Sequence, residues 1–292
     1  MSLFPAPPAP KFADDQHAIT RDRLRYEDVA QDGRLMPIAM PPAMSGLWHA
    51  VLHRHPGHRA ALAQGVLPIL TRLTIATAEQ AIRIDQPIES RAGFELAHAA
   101  SGEARLFMNV WAEVHGASGR IGQREPGPLA LAGRLFAEHT FTRPFAPPGQ
   151  RRVERLDVPG YPPVPEASYE LSAPATAAAA PDGATWLDEL SEDPLDVVFT
   201  LDQTDSNQHV NSLVYVRVFL EAAQRRIAAT RAWQIRSRAV DIAYRKPCFA
   251  GERARIWLRL FAWNDLVGAA GFFAAPGERD RPRCFVRVLF GT

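Results

Sequence analysis

Residues 201–223 read LDQTDSNQHVNSLVYVRVFLEAA, and this stretch decides how the rest of the chain is parsed. It opens with a polar cluster, Asp202 to Gln208, and passes without a break into a run whose apolar residues recur at helical spacing: Val210, Leu213, Val214, Phe219, Leu220, Ala223 and Ile227. Val216 and Val218 add apolar residues on other faces, a pattern expected of a buried helix. Arg225, Arg226 and Arg231 fall toward its C-terminal end, where positive charge suits the helix dipole. Asp205, Asn207, His209 and Asn211 therefore crowd into a turn directly before a helix N-terminus, where backbone N–H groups lack intrahelical partners and the dipole is positive. Asp, Asn and Ser are also ordinary helix caps. What the position adds is chemical capacity. Unpaired amides can stabilise an oxyanion, and a carboxylate or imidazole beside them can attack a carbonyl or activate water.

Outward from this stretch the period changes. LDVVFTL (195–201) before it reads as a β-branched strand. After the helix, AVDIAYRKP (239–247), RARIWLRLFAW (253–263), LVGAAGFFAA (266–275) and RCFVRVLF (283–290) alternate at period two, with turns at Pro247, Gly251, Asn264-Asp265 and Pro276-Gly277. Strand, buried helix and a four-strand meander make an α+β unit. The first half repeats that order: RLRYEDVA (23–30) as a strand, SGLWHAVLHRH (45–55) as a helix, then strands at VLPILTRLTIA (66–76), QAIRIDQP (80–87), GFELAHA (93–99) and RLFMNVWAEVHG (105–116). Expected boundaries are a flexible tail over 1–18, a first copy over 19–146, a linker over 147–194 and a second copy over 195–292. The linker is marked by RPFAPPG, VPGYPPVPEASY and SAPATAAAAPDG, Pro- and Ala-rich composition that disfavours helix and central strand and suits an extended surface crossing.

The motif D-S-N-Q-H-V-N-S-L-V-Y (205–215), followed by Leu220-Glu221, resembles the D-x-N-x-H-V-N-N-x-x-Y segment of hotdog-fold thioesterases, above all the acyl-ACP thioesterases. RYEDVAQDGR, VLPILTRLTI and RLFMNVWAEVHG extend the resemblance into the first half. It implies two hotdog folds in tandem, each a long buried helix wrapped by an antiparallel sheet. It implies hydrolysis of fatty-acyl or related thioesters of acyl carrier protein or coenzyme A, with no metal and no organic cofactor. Asp205 would be nucleophile or general base, and Asn207 and His209 would position it and the attacking water. Substrate contacts would come from a backbone N–H near Val210 or Asn211, from Tyr215 along an acyl tunnel, and from Glu221 and Cys248. In plant-type members a Glu-Cys pair stands where this chain has Pro247-Cys248, so the acidic member is missing. Rival readings are a non-hydrolytic acyl-binding or scaffold protein and a 3-hydroxyacyl-thioester dehydratase or hydratase using His209.

Bulk properties are consistent with these readings. The 292 residues are 47% hydrophobic and 22% charged, with a formal net charge of +1, so no nucleic-acid partner is indicated. Lys11 and Lys246 are the only lysines, and the arginines are scattered. Cys248 and Cys284 make no disulfide framework, the N-terminus has no secretory pattern and no apolar run spans a membrane, so a cytoplasmic chain free of membrane contact is expected, with a homodimer of double-hotdog chains left open. His49, His53, His55 and His58 read as solvated histidines at a helix end rather than a metal site, since H-E-x-x-H is absent. The nucleotide-binding glycine motifs and the G-x-S-x-G elbow are absent too. Before its helix the first copy has DGRLMPIAMPPAMSG (32–46), with no acid-x-Asn-x-His. One active site per chain follows, with Met36, Met40 and Met44 filling irregular space.

Overall fold

A computed structural model describes residues 3–229 and 235–291. The chain divides into two compact units, Ala6–Ser172 and Met1–Pro5 with Ala173–Thr292. In the first, β1 (His17–Asp22), β2 (Leu67–Thr77), β3 (Ile88–Ala99), β4 (Leu106–Ala117) and β5 (Leu129–Thr142) form a sheet in the order β1-β3-β4-β5-β2, antiparallel throughout. β6 (Ala167–Tyr169) adds in parallel beside the last part of β3.

The first copy's helix is not one long rod. It is α1 (Met40–Ala43), α2 (Ser45–Leu47), a π-helical turn over Trp48–Leu52 and α3 (Pro56–Ala63). Pro41, Pro42 and Pro56 each remove a backbone donor, which accounts for the breaks. Met40 is fully buried and its Sδ lies where a Cβ on Gly133 would stand, so this glycine is required by close packing. Met44 is buried too, while Met36 is half-buried. An apolar pocket opens between this helical segment and the sheet, lined by Met44, Trp48, Leu52, Phe94 and Val110 among others.

Several sequence expectations are corrected here. Residues 23–30 are not a strand: Asp28 accepts from the Arg25 N–H at 2.8 Å and closes a 3-10 turn over Tyr26–Asp28. Residues 80–87 form a turn in which Arg83 folds back on Asp85, and only Ile82 makes a bridge, to Ser118. β5 was not anticipated. The N-terminal segment is packed: the Phe12 ring occupies the space above Gly93, 5.9 Å from Trp111, whose Nε1 donates to the Pro7 carbonyl at 2.8 Å.

In the second unit, β10 (Arg236–Tyr244), β11 (Arg253–Trp263), β12 (Leu266–Ala274) and β13 (Cys284–Gly291) form an antiparallel sheet in the order β10-β13-β12-β11. α4 (Ser212–Ala228) lays Tyr215, Val216, Phe219, Leu220, Ala222, Ala223 and Ile227 in the core, while Arg217, Glu221 and Gln224 face water. It is thus amphipathic rather than apolar all round. Arg225 reaches the buried Asp193 at 2.9 Å, and Arg226 bonds the Ser191 hydroxyl and the Leu258 carbonyl. Arg231 lies outside the described residues.

The strand expected over 195–201 shrinks to β9 (Val197–Val198), because Leu195, Val198 and Leu201 are exposed and Leu201–Gln203 is a 3-10 turn. With β7 (Thr185–Trp186) and β8 (Ser191–Glu192), β9 runs antiparallel along the outer edge of β11. Much of the Pro- and Ala-rich region therefore covers sheet edges. Its Pro174–Ala178 turn packs on β10, β12 and β13, where the Ala179 carbonyl accepts from Arg287. Arg287 pairs with the fully buried Asp241 at 2.8 Å, and its guanidinium sits 4.6 Å from the Phe4 ring centre.

The histidines at 55 and 58 are buried, unlike the exposed His49 and His53. His55 stacks on Tyr161 at 4.8 Å and approaches Asp15 at 3.5 Å. Burial, with neighbouring His53 and His55, pushes the His58 pKa down, and burial holds that of His139 to about 4 although its Nδ1 lies 3.2 Å from the Met108 carbonyl.

This packing has two measurable consequences. Both histidine shifts are downward, so the folded state binds fewer protons than the unfolded state; stability is present above pH 6.5 and is lost as pH falls from 6.5 toward about 4. Chemical denaturation of wild type across that window should show it, and His139→Gln should flatten the slope. Asp241→Asn should destabilise by about 3 kcal/mol, because it removes the buried carboxylate that pairs with the buried Arg287 guanidinium at 2.8 Å; a loss under ~1 kcal/mol would mean the pair is not needed.

Candidate active site

The polar turn is built from backbone bonds. Thr204 and Val210 bridge across it, the Asp205 N–H donates to the His209 carbonyl at 2.9 Å, and the Gln208 N–H donates to the Asp205 carbonyl at 2.9 Å. Asp205 Oδ1 accepts the Asn207 N–H at 2.8 Å, an Asx turn. Closing so few residues drives Gln208 into the left-handed region, φ 64°, where non-glycine residues are uncommon. That strain sits between Asn207 and His209. Asp205 and His209 are half-buried and Asn207 is exposed, so the turn offers its functional groups to solvent. Asp205 Oδ2 has no hydrogen-bond partner among the described residues. The His209 ring meets Phe249 edge-on at 5.2 Å.

Behind the turn, Asn211 caps α4: its Oδ1 accepts the Leu213 N–H at 2.9 Å. The two amides expected to meet a substrate carbonyl are already engaged. Val210 donates to the Cys248 carbonyl at 2.9 Å and Asn211 to the Gln203 carbonyl at 2.8 Å. Ser212, the first helical residue, keeps its N–H without an acceptor among the described residues. An oxyanion would find its donor there, at the positive end of the helix.

The remaining predicted residues divide. Tyr215 is buried, and its ring packs against Phe199, Tyr244 and Phe273. Its hydroxyl accepts the Cys248 N–H at 2.8 Å. Cys248 is buried, burial pushes its thiol pKa up, and it is a poor nucleophile in that state. Glu221 is exposed, and the helical rise sets it roughly 14 Å along the axis from Ser212. The structure thus gathers Asp205, Asn207 and His209 on one turn, places Tyr215 and Cys248 behind it, and leaves Glu221 apart. Sequence reading missed Phe249, Tyr244 (whose hydroxyl donates to the Ser212 carbonyl at 3.0 Å) and the Ser212 amide. Phe249 was legible only as the residue after Cys248. Among the described residues no cluster of three or more His, Cys, Asp or Glu could hold a metal ion, and no helix is long and apolar enough to cross a membrane.

No protein-family model matches the chain, and no curated protein matches it. Solved structures do. A protein assigned as an oleoyl thioesterase from Lactobacillus plantarum superposes with a TM-score of 0.63 at 15% identity, over 96% of this chain and 98% of its own. An acyl-ACP thioesterase from Bacteroides thetaiotaomicron gives 0.56 at 13% identity over 95% and 98%. The 12:0-ACP thioesterase from Umbellularia californica gives 0.58 at 13% identity over 94% and 93%. A likeness that spans almost the whole of each chain, at identities this low, establishes architecture: the chain has the tandem hotdog fold of the acyl-ACP thioesterases.

Proposed function

We propose that the protein hydrolyses a fatty-acyl or related thioester of acyl carrier protein or coenzyme A. The observation that carries the reading is the Asp205–His209 turn at the N-terminus of α4, with a free carboxylate oxygen, an imidazole and an unengaged Ser212 N–H. Asp205 takes a proton from water, and the water oxygen attacks the thioester carbon. The carbonyl oxygen becomes an oxyanion beside the Ser212 N–H. Collapse of the tetrahedral intermediate breaks the C–S bond, and the thiolate receives the proton from Asp205. Asn207 and His209 orient the water and the carboxylate, and no metal or organic cofactor enters.

The missing acid at position 247 fits this scheme, because general-base duty rests on Asp205. Two free, buried cysteines suit a reducing, cytoplasmic setting. Assembly into a homodimer of double-hotdog chains, and the absence of nucleic-acid partners, belong to the same reading.

The test is thiol release from a panel of acyl-CoA and acyl-ACP thioesters. Wild type should turn over at least one of them, and Asp205→Asn should lower kcat by about 100-fold or more. No release on any thioester would sink hydrolysis and favour acyl binding alone. Hydration of an enoyl thioester without thiol release would mark a dehydratase.

A further inference from the structure

The loop after β10, residues 246–251, is held at both ends of one residue. The Cys248 carbonyl accepts the Val210 N–H at 2.9 Å, and the Cys248 N–H donates to the Tyr215 oxygen at 2.8 Å. One residue further, Phe249 lies edge-on to the His209 ring. Lys246 donates its N–H to the Arg283 carbonyl at 3.0 Å and Pro247 has none, so Cys248 supplies the next backbone donor of this stretch, and it is buried. A phenylalanine ring would fill the space of Tyr215 among Phe199, Tyr244 and Phe273 equally well. What the tyrosine adds is its hydroxyl, and that hydroxyl points at the loop.

We infer that Tyr215 is a positioning residue for the candidate catalytic turn, acting through the Cys248 backbone on Val210 and through Phe249 on the His209 ring. Without the hydroxyl the buried Cys248 N–H has no acceptor, and the loop relieves this by moving. Movement draws the Cys248 carbonyl off Val210 and Phe249 off His209, so the turn loses its register with the start of α4. This assigns Tyr215 to the rear of the site rather than to the wall of an acyl tunnel, and it gives Cys248 a part played by its main chain. The kinetic arm of the test rests on the hydrolytic reading; the structural arm does not.

Tyr215→Phe and Phe249→Ala are compared with wild type by steady-state thiol release and by amide hydrogen exchange. Phe249 is 42% exposed, so its removal leaves the core intact. Both variants should lower kcat by about tenfold or more, with KM within about twofold, as expected when reacting groups are misplaced and binding is not. In Tyr215→Phe, exchange should rise across residues 203–211 and stay unchanged across 253–274. Unchanged kcat and exchange would overturn the inference. So would exchange rising evenly through both segments, the mark of a merely structural loss. Should wild type release no thiol at all, hydrolysis falls, and exchange in the 203–211 turn still decides whether Tyr215 holds it.

Discussion

The apolar face of α4 against β10–β13 is the contact on which the candidate site depends. Tyr215, Val216, Phe219, Leu220 and Ile227 are all taken out of water there, at about 1.5–3 kcal/mol for each large apolar side chain. That burial fixes the rotation and height of the helix, and so fixes where its first amides point. Asn211 then caps it, and the turn before it has to close within a few residues. The left-handed Gln208 records the difficulty of doing so. A polar turn this short holds its shape through its own backbone bonds together with the packing that fixes the helix at its far end.

Edge protection is the second constraint. A sheet whose last strand is as long and apolar as β11 presents unpaired backbone groups to any other chain. Residues 185–198 lie along that edge in short pieces, and Arg225 and Arg226 of α4 reach over to tie them down. The arginines near the helix C-terminus thus do more than complement the dipole. On the opposite face of the same sheet the Asp241–Arg287 pair, the Ala179 carbonyl and Phe4 close over the strands. The low-complexity composition of this region suits a covering segment, because alanine and proline lie flat on a sheet and make few competing demands for hydrogen bonds.

These considerations explain what was legible in the sequence. The four strands over 236–291 could be read because alternation and turn residues act locally, but the expected four-strand meander is corrected: β10 pairs with β13 rather than β11, a long-range pairing that leaves only β11-β12-β13 as a meander. The turn before α4 was legible because residues 202–209 are an unbroken polar run. The strand at 129–142 escaped notice since Ala130, Ala132, Gly133 and Ala137 give weak β signals; its place is set by partners far off in sequence. Residues 23–30 and 80–87 misled because Asp28 and Asp85 each close a local turn that outcompetes pairing. Burial of His55, His58 and His139 was hidden, because it depends on Tyr161 and on β5 arriving from elsewhere in the chain. At the site, the residues that would do chemistry were visible, while their supports, Tyr215 through its hydroxyl and Phe249 through its ring, become apparent only once the loop after β10 is seen beside the turn.

The two copies differ in a way that confines the proposed chemistry to one of them. An oxyanion needs N–H donors at a helix start, and α4 offers them behind an asparagine cap. The first copy's helical segment starts as a 3-10 turn over Pro37–Ala39 that runs into α1 at Met40, with no side-chain cap from Met36 or Ala39 and with Pro41 and Pro42 following at once. Proline has no N–H, so two of the donors such a site would need are chemically absent, whatever acid is placed nearby. The same prolines break the helix, and the π-helical turn at Trp48–Leu52 sits beside the apolar pocket over β3 and β4. A sequence that exchanges a capped helix for Met-Pro-Pro-Ala-Met gives up the capacity to stabilise charge at that end and keeps the capacity to receive something apolar.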